Sequence, residues 1–129
     1  MKRSIFRYVS EKELELFLRG YHGLGDYFKN SQNFNTFRYK KYEKYLHFFK
    51  NKKDIRLIRE SYKGSGGHFY ICTFQVPVRR LIFHSGTGFY YEKGKYKKTC
   101  VKEYALPSRE FLPSWISKVE KDFGQEIVD

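Results

Sequence analysis

Cysteine is scarce in this sequence, and its scarcity excludes two common ways of stabilising a small protein. Neither Cys72 nor Cys100 has a second cysteine or a histidine at the spacing of a zinc motif. The histidines also lack the spacing of a helical metal motif, being scattered at His22, His47, His68 and His84. We therefore expect no metal and no disulfide, and we expect both cysteines to be buried thiols.

Long apolar runs are missing as well. No segment approaches the roughly 18 uncharged apolar residues that a membrane helix requires. The basic start, Met1–Arg7, is not followed by the apolar core of a signal peptide. The sequence therefore predicts a soluble, cytoplasmic protein without a membrane partner. Its 129 residues suit a single domain, 1–129.

Acidic residues are few compared with basic ones. The 14 Asp and Glu face 26 Lys and Arg, which gives a net charge of +12. This surplus predicts a polyanionic partner such as nucleic acid, although an ordinary solvated basic surface is the simpler alternative. The tyrosines interleaved with the cations could stack on bases, namely Tyr39, Tyr42, Tyr45 and Tyr96. The expected nucleic-acid contacts are Arg38, Lys40, Lys41, Lys44, Lys52, Lys53, Arg56, Lys97 and Lys98.

The clearest local pattern is a strand followed by a capped helix. Ser4–Val9 alternates as a strand and places Arg7 on the same face as its apolar neighbours two residues away. A buried arginine needs an anion or a carboxylate beside it. Ser10–Glu13 forms a capping box that predicts a helix over Glu11–Arg19, packed through Leu14, Phe17 and Leu18.

The rest of the chain predicts a second helix and several strands. Asn51 is placed to cap a short helix that buries Ile55, Leu57 and Ile58. The remaining expected segments are a long loop at Tyr21–Asn35, extended segments at Asn35–Tyr39 and Lys44–Phe49, a strand at Phe69–Val76, a glycine-rich loop at Ser85–Gly88, a turn at Lys93–Gly94, a strand at Thr99–Leu106 and a strand or short helix at Trp115–Val119. Together they predict an α+β fold, with two short helices on a small mixed or antiparallel, split sheet.

Three short motifs resemble those of a known enzyme family. Phe6–Ser10 precedes the first helix, Tyr45–Phe49 precedes the second, and Lys102–Pro107 forms a late strand with Glu103. This order is similar to that of the small ADP-ribosyltransferase-like domains of bacterial toxins and DNA-modifying enzymes. The resemblance implies the same fold and NAD as a substrate.

The resemblance also implies roles for particular residues. Arg7 and Ser10 would bind NAD, and Arg7, on its ribose and phosphates, would also be a catalytic residue together with Glu103. His47, Phe48 and Phe49 would line the nicotinamide side. Glu103 would be the catalytic carboxylate, since cleavage of the nicotinamide–ribose bond develops positive charge on the sugar. Arg7 and Glu103 should then face one cleft.

Three functions remain open from the sequence. The leading hypothesis is an ADP-ribosyltransferase in a toxin or phage-defence role, acting on nucleic acid or a nucleic-acid-associated target, with an antitoxin as a candidate partner. The second is a non-catalytic basic nucleic-acid-binding protein. The third is a small RNA-cleaving toxin in which His47 or His84 serves as the general base.

Overall fold

The computed structural model describes residues 1–19, 45–62, 67–107 and 110–129. The expected loop at Tyr21–Asn35 and the extended segment at Asn35–Tyr39 lie outside these ranges. Within them, no helix is both long and apolar enough to cross a membrane.

A six-stranded sheet forms the framework of the described chain. Its strands are β1 (Lys2–Ser10), β2 (Tyr45–Phe49), β3 (Phe69–Pro77), β4 (Ile82–Glu92), β5 (Lys95–Pro107) and β6 (Ile116–Lys121). They lie in the order β4-β5-β2-β1-β3-β6, and every neighbouring pair is antiparallel. With two short helices, α1 (Glu11–Leu18) and α2 (Arg56–Tyr62), this confirms the predicted α+β architecture.

The two helices pack on opposite faces of the sheet. On the α1 face, Leu14 and Phe17 join a core with Ile5 and Val9 of β1. On the α2 face, Ile55 and Ile58 join a second core that includes Tyr8 of β1. Because side chains alternate along a strand, odd-numbered residues of β1 face α1 and even-numbered residues face α2.

Helix α1 begins at the predicted residue, and the Ser10 half of the predicted capping box forms, but the Glu13 carboxylate accepts from Arg7 instead of reaching back to Ser10. The Ser10 hydroxyl accepts a hydrogen bond from the Glu13 amide at 3.2 Å, which satisfies one of the open donors of the first turn. Leu14 and Phe17 are buried, but Leu18 is 64% exposed, so its predicted packing is wrong. The buried stripe also includes Glu13, and this rotation of the helix leaves Leu18 at the edge of the contact.

Helix α2 begins differently from the prediction. A 3-10 turn over Lys52–Ile55 precedes it, and the Asn51 side chain makes no capping hydrogen bond. The turn is closed instead by the backbone, where the Asp54 amide donates to the Asn51 carbonyl at 3.1 Å. Ile55 and Ile58 are buried as expected, whereas Leu57 is only half-buried against the same core.

The C-terminal segment fixes α2 to the sheet. Arg59 of α2 donates two hydrogen bonds to the Asp122 carboxylate, at 3.0 and 2.9 Å, and a third to the Gln125 carbonyl. The Tyr8 hydroxyl donates to the same carboxylate from β1. Although partial burial opposes it, these bonds together lower the pKa of Asp122.

The expected loop at Ser85–Gly88 is wrong, because these residues lie inside β4. A Cβ on Gly88 would lie 2.4 Å from Val101 Cγ2 of β5 and 3.4 Å from Leu57 Cδ1 of α2. Glycine is therefore needed here for close packing rather than for a turn. The turn follows at Lys93 and Gly94, as predicted, where both residues have positive φ.

The last two segments predicted from the sequence, Thr99–Leu106 and Trp115–Val119, also lie in the described part of the chain. The strand predicted at Thr99–Leu106 belongs to the longer β5. At the predicted Trp115–Val119 segment, a 3-10 turn over Pro113–Trp115 leads into β6, so the two alternatives occur one after the other.

The sheet is joined weakly at its centre. β1 and β2 share one paired position, Phe6 with Phe49, whereas β1 and β3 pair along nine. The Arg7 side chain crosses this seam, and its Nη1 donates to the His47 carbonyl of β2 at 2.7 Å. Its Nε and Nη2 donate to the two Glu13 oxygens at 3.1 and 2.9 Å. Glu13 is thus the carboxylate that the buried Arg7 requires.

Removing one member of this buried pair should destabilise the fold strongly. Arg7→Met leaves the Glu13 carboxylate buried and unneutralised, a change that lowers the free energy of unfolding by about 3–5 kcal/mol in comparable pairs. Burial raises the pKa of Glu13, and Arg7 opposes this rise. Without Arg7, Glu13 takes up a proton more readily on folding, so the loss should be smaller at pH 5 than at pH 7. Denaturant unfolding at both pH values measures it.

The exposed pair on the same helix supplies the control. Arg19 and Glu15 form an ion pair at the surface, so Arg19→Met should change the free energy of unfolding by less than about 1 kcal/mol. Arg7→Met combined with Glu13→Leu should recover stability, because no charge is then left buried. A loss in Arg7→Met as small as that in Arg19→Met would contradict this account of the seam.

Candidate functional site

Arg7 and Glu103 do not share a cleft. Arg7 lies on the α1 face between Ile5 and Val9. Glu103 lies two residues from Val101 on β5, and Val101 belongs to the core of the α2 face. The expected arrangement is therefore wrong. Alternation shows which residues of one strand share a face, but it does not show which face two distant strands have in common, and here Arg7 and Glu103 lie on opposite faces. The Arg7 guanidinium is occupied by Glu13 and the His47 carbonyl.

The other expected NAD contacts are also divided. Phe48 lies in the core of the α1 face, with its ring 5.2 Å from that of Phe74. Its neighbour Phe49 lies in the core of the α2 face. Ser10 caps α1, and His47 is 1% exposed on the α2 face. The structure does not bring these residues together in one pocket.

His47 and Glu103 instead meet a residue that was expected only as an alternative base. His84 of β4 lies directly opposite Glu103 of β5, and His47 of β2 lies opposite Ala105, one step along the same face. The His84 Nε2 and Glu103 Oε2 atoms are 3.7 Å apart, and the two imidazole rings are 5.7 Å apart. Three neighbouring strands thus bring His47, His84 and Glu103 into one cluster, the His–His–Glu cluster. Only the cross-strand register reveals it.

Most of the expected nucleic-acid contacts that the structure describes form ion pairs within the protein. Lys52 pairs with Glu120 at 2.6 Å, and Lys53 pairs with Asp129 at 3.6 Å. Arg56 and Lys97 both pair with Glu92, at 3.9 and 3.0 Å, and Arg56 also lies over the Tyr90 ring. Lys98 forms no ion pair within the described ranges. Outside those ranges lie Arg38, Lys40, Lys41 and Lys44.

The face of the β4–β5 hairpin opposite the His–His–Glu cluster carries exposed aromatic rings. The cross-strand pairs on this side are Phe83 with Tyr104, Ser85 with Lys102, Thr87 with Cys100, Phe89 with Lys98, and Tyr91 with Tyr96. We call these ten residues the aromatic platform. Four of its rings are between 51% and 76% exposed, namely Phe83, Phe89, Tyr91 and Tyr96. The platform continues the α1 face beyond the part that α1 itself covers.

Charge on the aromatic platform has one sign. Lys98 and Lys102 lie between its aromatic ends, and none of the ten residues is acidic. At the inner end, the Arg3 guanidinium lies 5.5 Å from the centre of the Tyr104 ring, which in turn contacts Phe83. The two glutamates of the hairpin, Glu92 and Glu103, point to the opposite side. The platform therefore combines flat apolar rings with unbalanced positive charge.

The two cysteines differ, although both were expected to be buried. Cys72 lies in the core opposite Arg7, where burial, followed by the nearby Glu13 carboxylate, raises its pKa to about 12. Cys100 is exposed on the aromatic platform, so its expected burial is wrong. The alternation of β5 places it on the side that no helix of the described chain covers.

This difference predicts selective thiol chemistry. Alkylation of the native protein at pH 8 should modify Cys100 and spare Cys72, because the thiolate is the reactive form and Cys72 holds its proton in the core. Mass spectrometry of the peptides measures each site separately. In denaturant both cysteines should react at similar rates. Equal reaction of the two thiols in the native protein would contradict the placement of β5.

Comparison with known proteins identifies no relative. No protein-family model matches the sequence, and no significant match exists among curated proteins or solved structures. The resemblance to ADP-ribosyltransferase-like domains stays a prediction. The function of this protein must therefore be inferred from the arrangement of its own residues.

Proposed function

We propose that this protein binds single-stranded nucleic acid through the aromatic platform. The observation that supports the proposal is the exposure of Phe83, Phe89, Tyr91 and Tyr96 on one basic face of the sheet. Phe89, Tyr91 and Tyr96 lie next to one another at the outer end of the platform, and Phe83 lies at its inner end. Exposed rings grouped in this way are typical of a surface that a partner covers. A partner with flat rings and negative charge matches both properties of this face.

Stacking favours a single strand over a duplex. The faces of bases are accessible to protein rings only when the bases are unpaired. Phe89 and Tyr91 are two residues apart on β4, which separates their side chains by about 7 Å along the strand. Tyr96 contacts Tyr91 edge to face, with ring centres 4.8 Å apart, and thereby orients it. Successive bases can stack on such a row without a particular sequence.

The positive charges favour nucleic acid over an apolar protein partner. Lys98 lies beside Phe89, and Lys102 lies between the two aromatic ends of the platform. Cations between stacking rings can contact the phosphates of a strand whose bases lie on those rings. The net charge of +12 would also attract a polyanion over longer distances. A protein partner, such as an antitoxin, would need an acidic surface to match this face.

The two catalytic hypotheses receive less support from the geometry. The hypothesis of ADP-ribosyl transfer requires a cleft that contains both Arg7 and Glu103, but these residues lie on opposite faces of the sheet. RNA cleavage by His47 or His84 would take place on the α2 face, away from a strand bound to the platform. Both activities remain testable by incubation with NAD and with labelled RNA.

Single aromatic substitutions on the platform should weaken binding. We expect Phe89→Ala or Tyr96→Ala to reduce affinity for a labelled single-stranded oligonucleotide by about 1–3 kcal/mol, since one stacked base is lost. Fluorescence anisotropy at fixed salt measures the dissociation constant. Phe123→Ala is the matched control, because Phe123 is 80% exposed but lies beyond β6, outside the platform. Equal effects at Phe89 and Phe123, or preferential binding to a duplex, would contradict the proposal.

The lysines should determine the salt dependence. Lys98→Gln should reduce the slope of log affinity against log salt by about one, because one phosphate contact is lost. Lys118→Gln is the control, since Lys118 is exposed on β6 and pairs with Glu120. A bound oligonucleotide should also slow the alkylation of Cys100, which lies within the platform. An unchanged slope in Lys98→Gln together with an unprotected Cys100 would place binding elsewhere.

A further inference from the structure

We propose that His47, His84 and Glu103 bind one divalent transition-metal ion of the zinc class on the α2 face of the sheet. This site goes beyond nucleic-acid binding, because it lies on the side of the hairpin opposite the aromatic platform. It involves no residue of the platform.

The spacing of the three side chains suits a metal ion. One potential ligand atom from each residue lies within 4.8 Å of the other two. Tetrahedral ligands at about 2.0–2.2 Å from a zinc ion are themselves about 3.3–3.6 Å apart. His84 Nε2 and Glu103 Oε2, at 3.7 Å, are close to this separation already. Small side-chain rotations would bring the three atoms to bonding distance.

The ligand types select the class of metal. Two imidazole nitrogens and one carboxylate oxygen form a set that zinc accepts readily, and the same set suits other first-row divalent ions. Three protein ligands leave the fourth tetrahedral position open, as in catalytic rather than structural zinc sites. The His84 side chain is 14% exposed, although its ring nitrogens are buried like those of His47.

The surrounding structure holds the ligands in place. Each ligand lies on a different strand, and the pairing of β2 and β4 with β5 fixes the three backbones relative to one another. The Arg7 guanidinium binds the carbonyl of His47, the central residue of β2, and thereby holds this strand. His47 and Glu103 are 1% and 5% exposed.

The alternative is a metal-free cluster in which the imidazoles and the carboxylate interact with one another. Zinc binding to the full-length protein distinguishes the two. After removal of metal with EDTA, competition with a chromophoric chelator should show one tightly bound Zn²⁺ per chain. Co²⁺ in the same site should give the intense visible bands of a tetrahedral ion with nitrogen and oxygen ligands. The midpoint temperature of unfolding should rise when Zn²⁺ is added, because the ion binds the folded chain.

Substitution of the most exposed ligand tests the assignment. Loss of a residue that only hydrogen-bonds to a metal ligand weakens metal binding by about 10–100-fold. Because His84 would be a ligand itself, His84→Ala should weaken Zn²⁺ binding by more than this. His68→Ala is the matched control, because His68 is exposed and lies outside the cluster. Glu103→Gln provides a second variant if His84→Ala does not fold, and the Co²⁺ spectrum of the unaltered protein needs no variant. Absence of a tetrahedral Co²⁺ spectrum, or equal Zn²⁺ affinity in His84→Ala and His68→Ala, would overturn the proposal.

Discussion

The bond network of Arg7 joins parts of the molecule that the sheet alone joins weakly. β1 and β2 share one paired position at the centre of the sheet. Across this seam, one guanidinium contacts both carboxylate oxygens of Glu13 and the backbone carbonyl of His47. A guanidinium has five donors in a rigid planar arrangement, so it can serve both partners at once. No other side-chain type could hold helix α1 and strand β2 in the same way.

This network has consequences on both faces of the sheet. On the α1 face, it rotates α1 so that Glu13 points inward and Leu18 remains exposed. On the α2 face, it holds the strand that carries His47 into the His–His–Glu cluster. It also occupies the arginine that ADP-ribosyl transfer would need for the phosphates of NAD. The residue with the most suggestive position in the sequence is therefore explained by a structural role.

Sequence reasoning succeeded where the determining contacts are local. The capping box predicts α1 because Ser10 and Glu13 are three residues apart, and that spacing is fixed by the helix itself. Alternation along β1 likewise predicts that Arg7 lies among apolar neighbours and requires an anion or a carboxylate, and Glu13 is that carboxylate. Sequence reasoning failed for Ser85–Gly88. A glycine permits either a turn or close packing, and at Gly88 the choice depends on Val101 and Leu57, which lie in other elements of the fold. The His–His–Glu cluster and the aromatic platform depend on cross-strand register, which no local pattern contains.

The basic residues illustrate why charge density in a sequence is a weak guide to a binding surface. The stretch that includes Lys52, Lys53 and Arg56 is rich in cations, but their partners are Glu120, Asp129 and Glu92, which come from later parts of the chain. Folding therefore offsets much of the charge in that stretch. On the β4–β5 hairpin the opposite occurs, because strand alternation sends Glu92 and Glu103 to one side and leaves Lys98 and Lys102 with the exposed rings on the other. The surface best suited to a polyanion is thus determined by which cations the fold separates from its carboxylates.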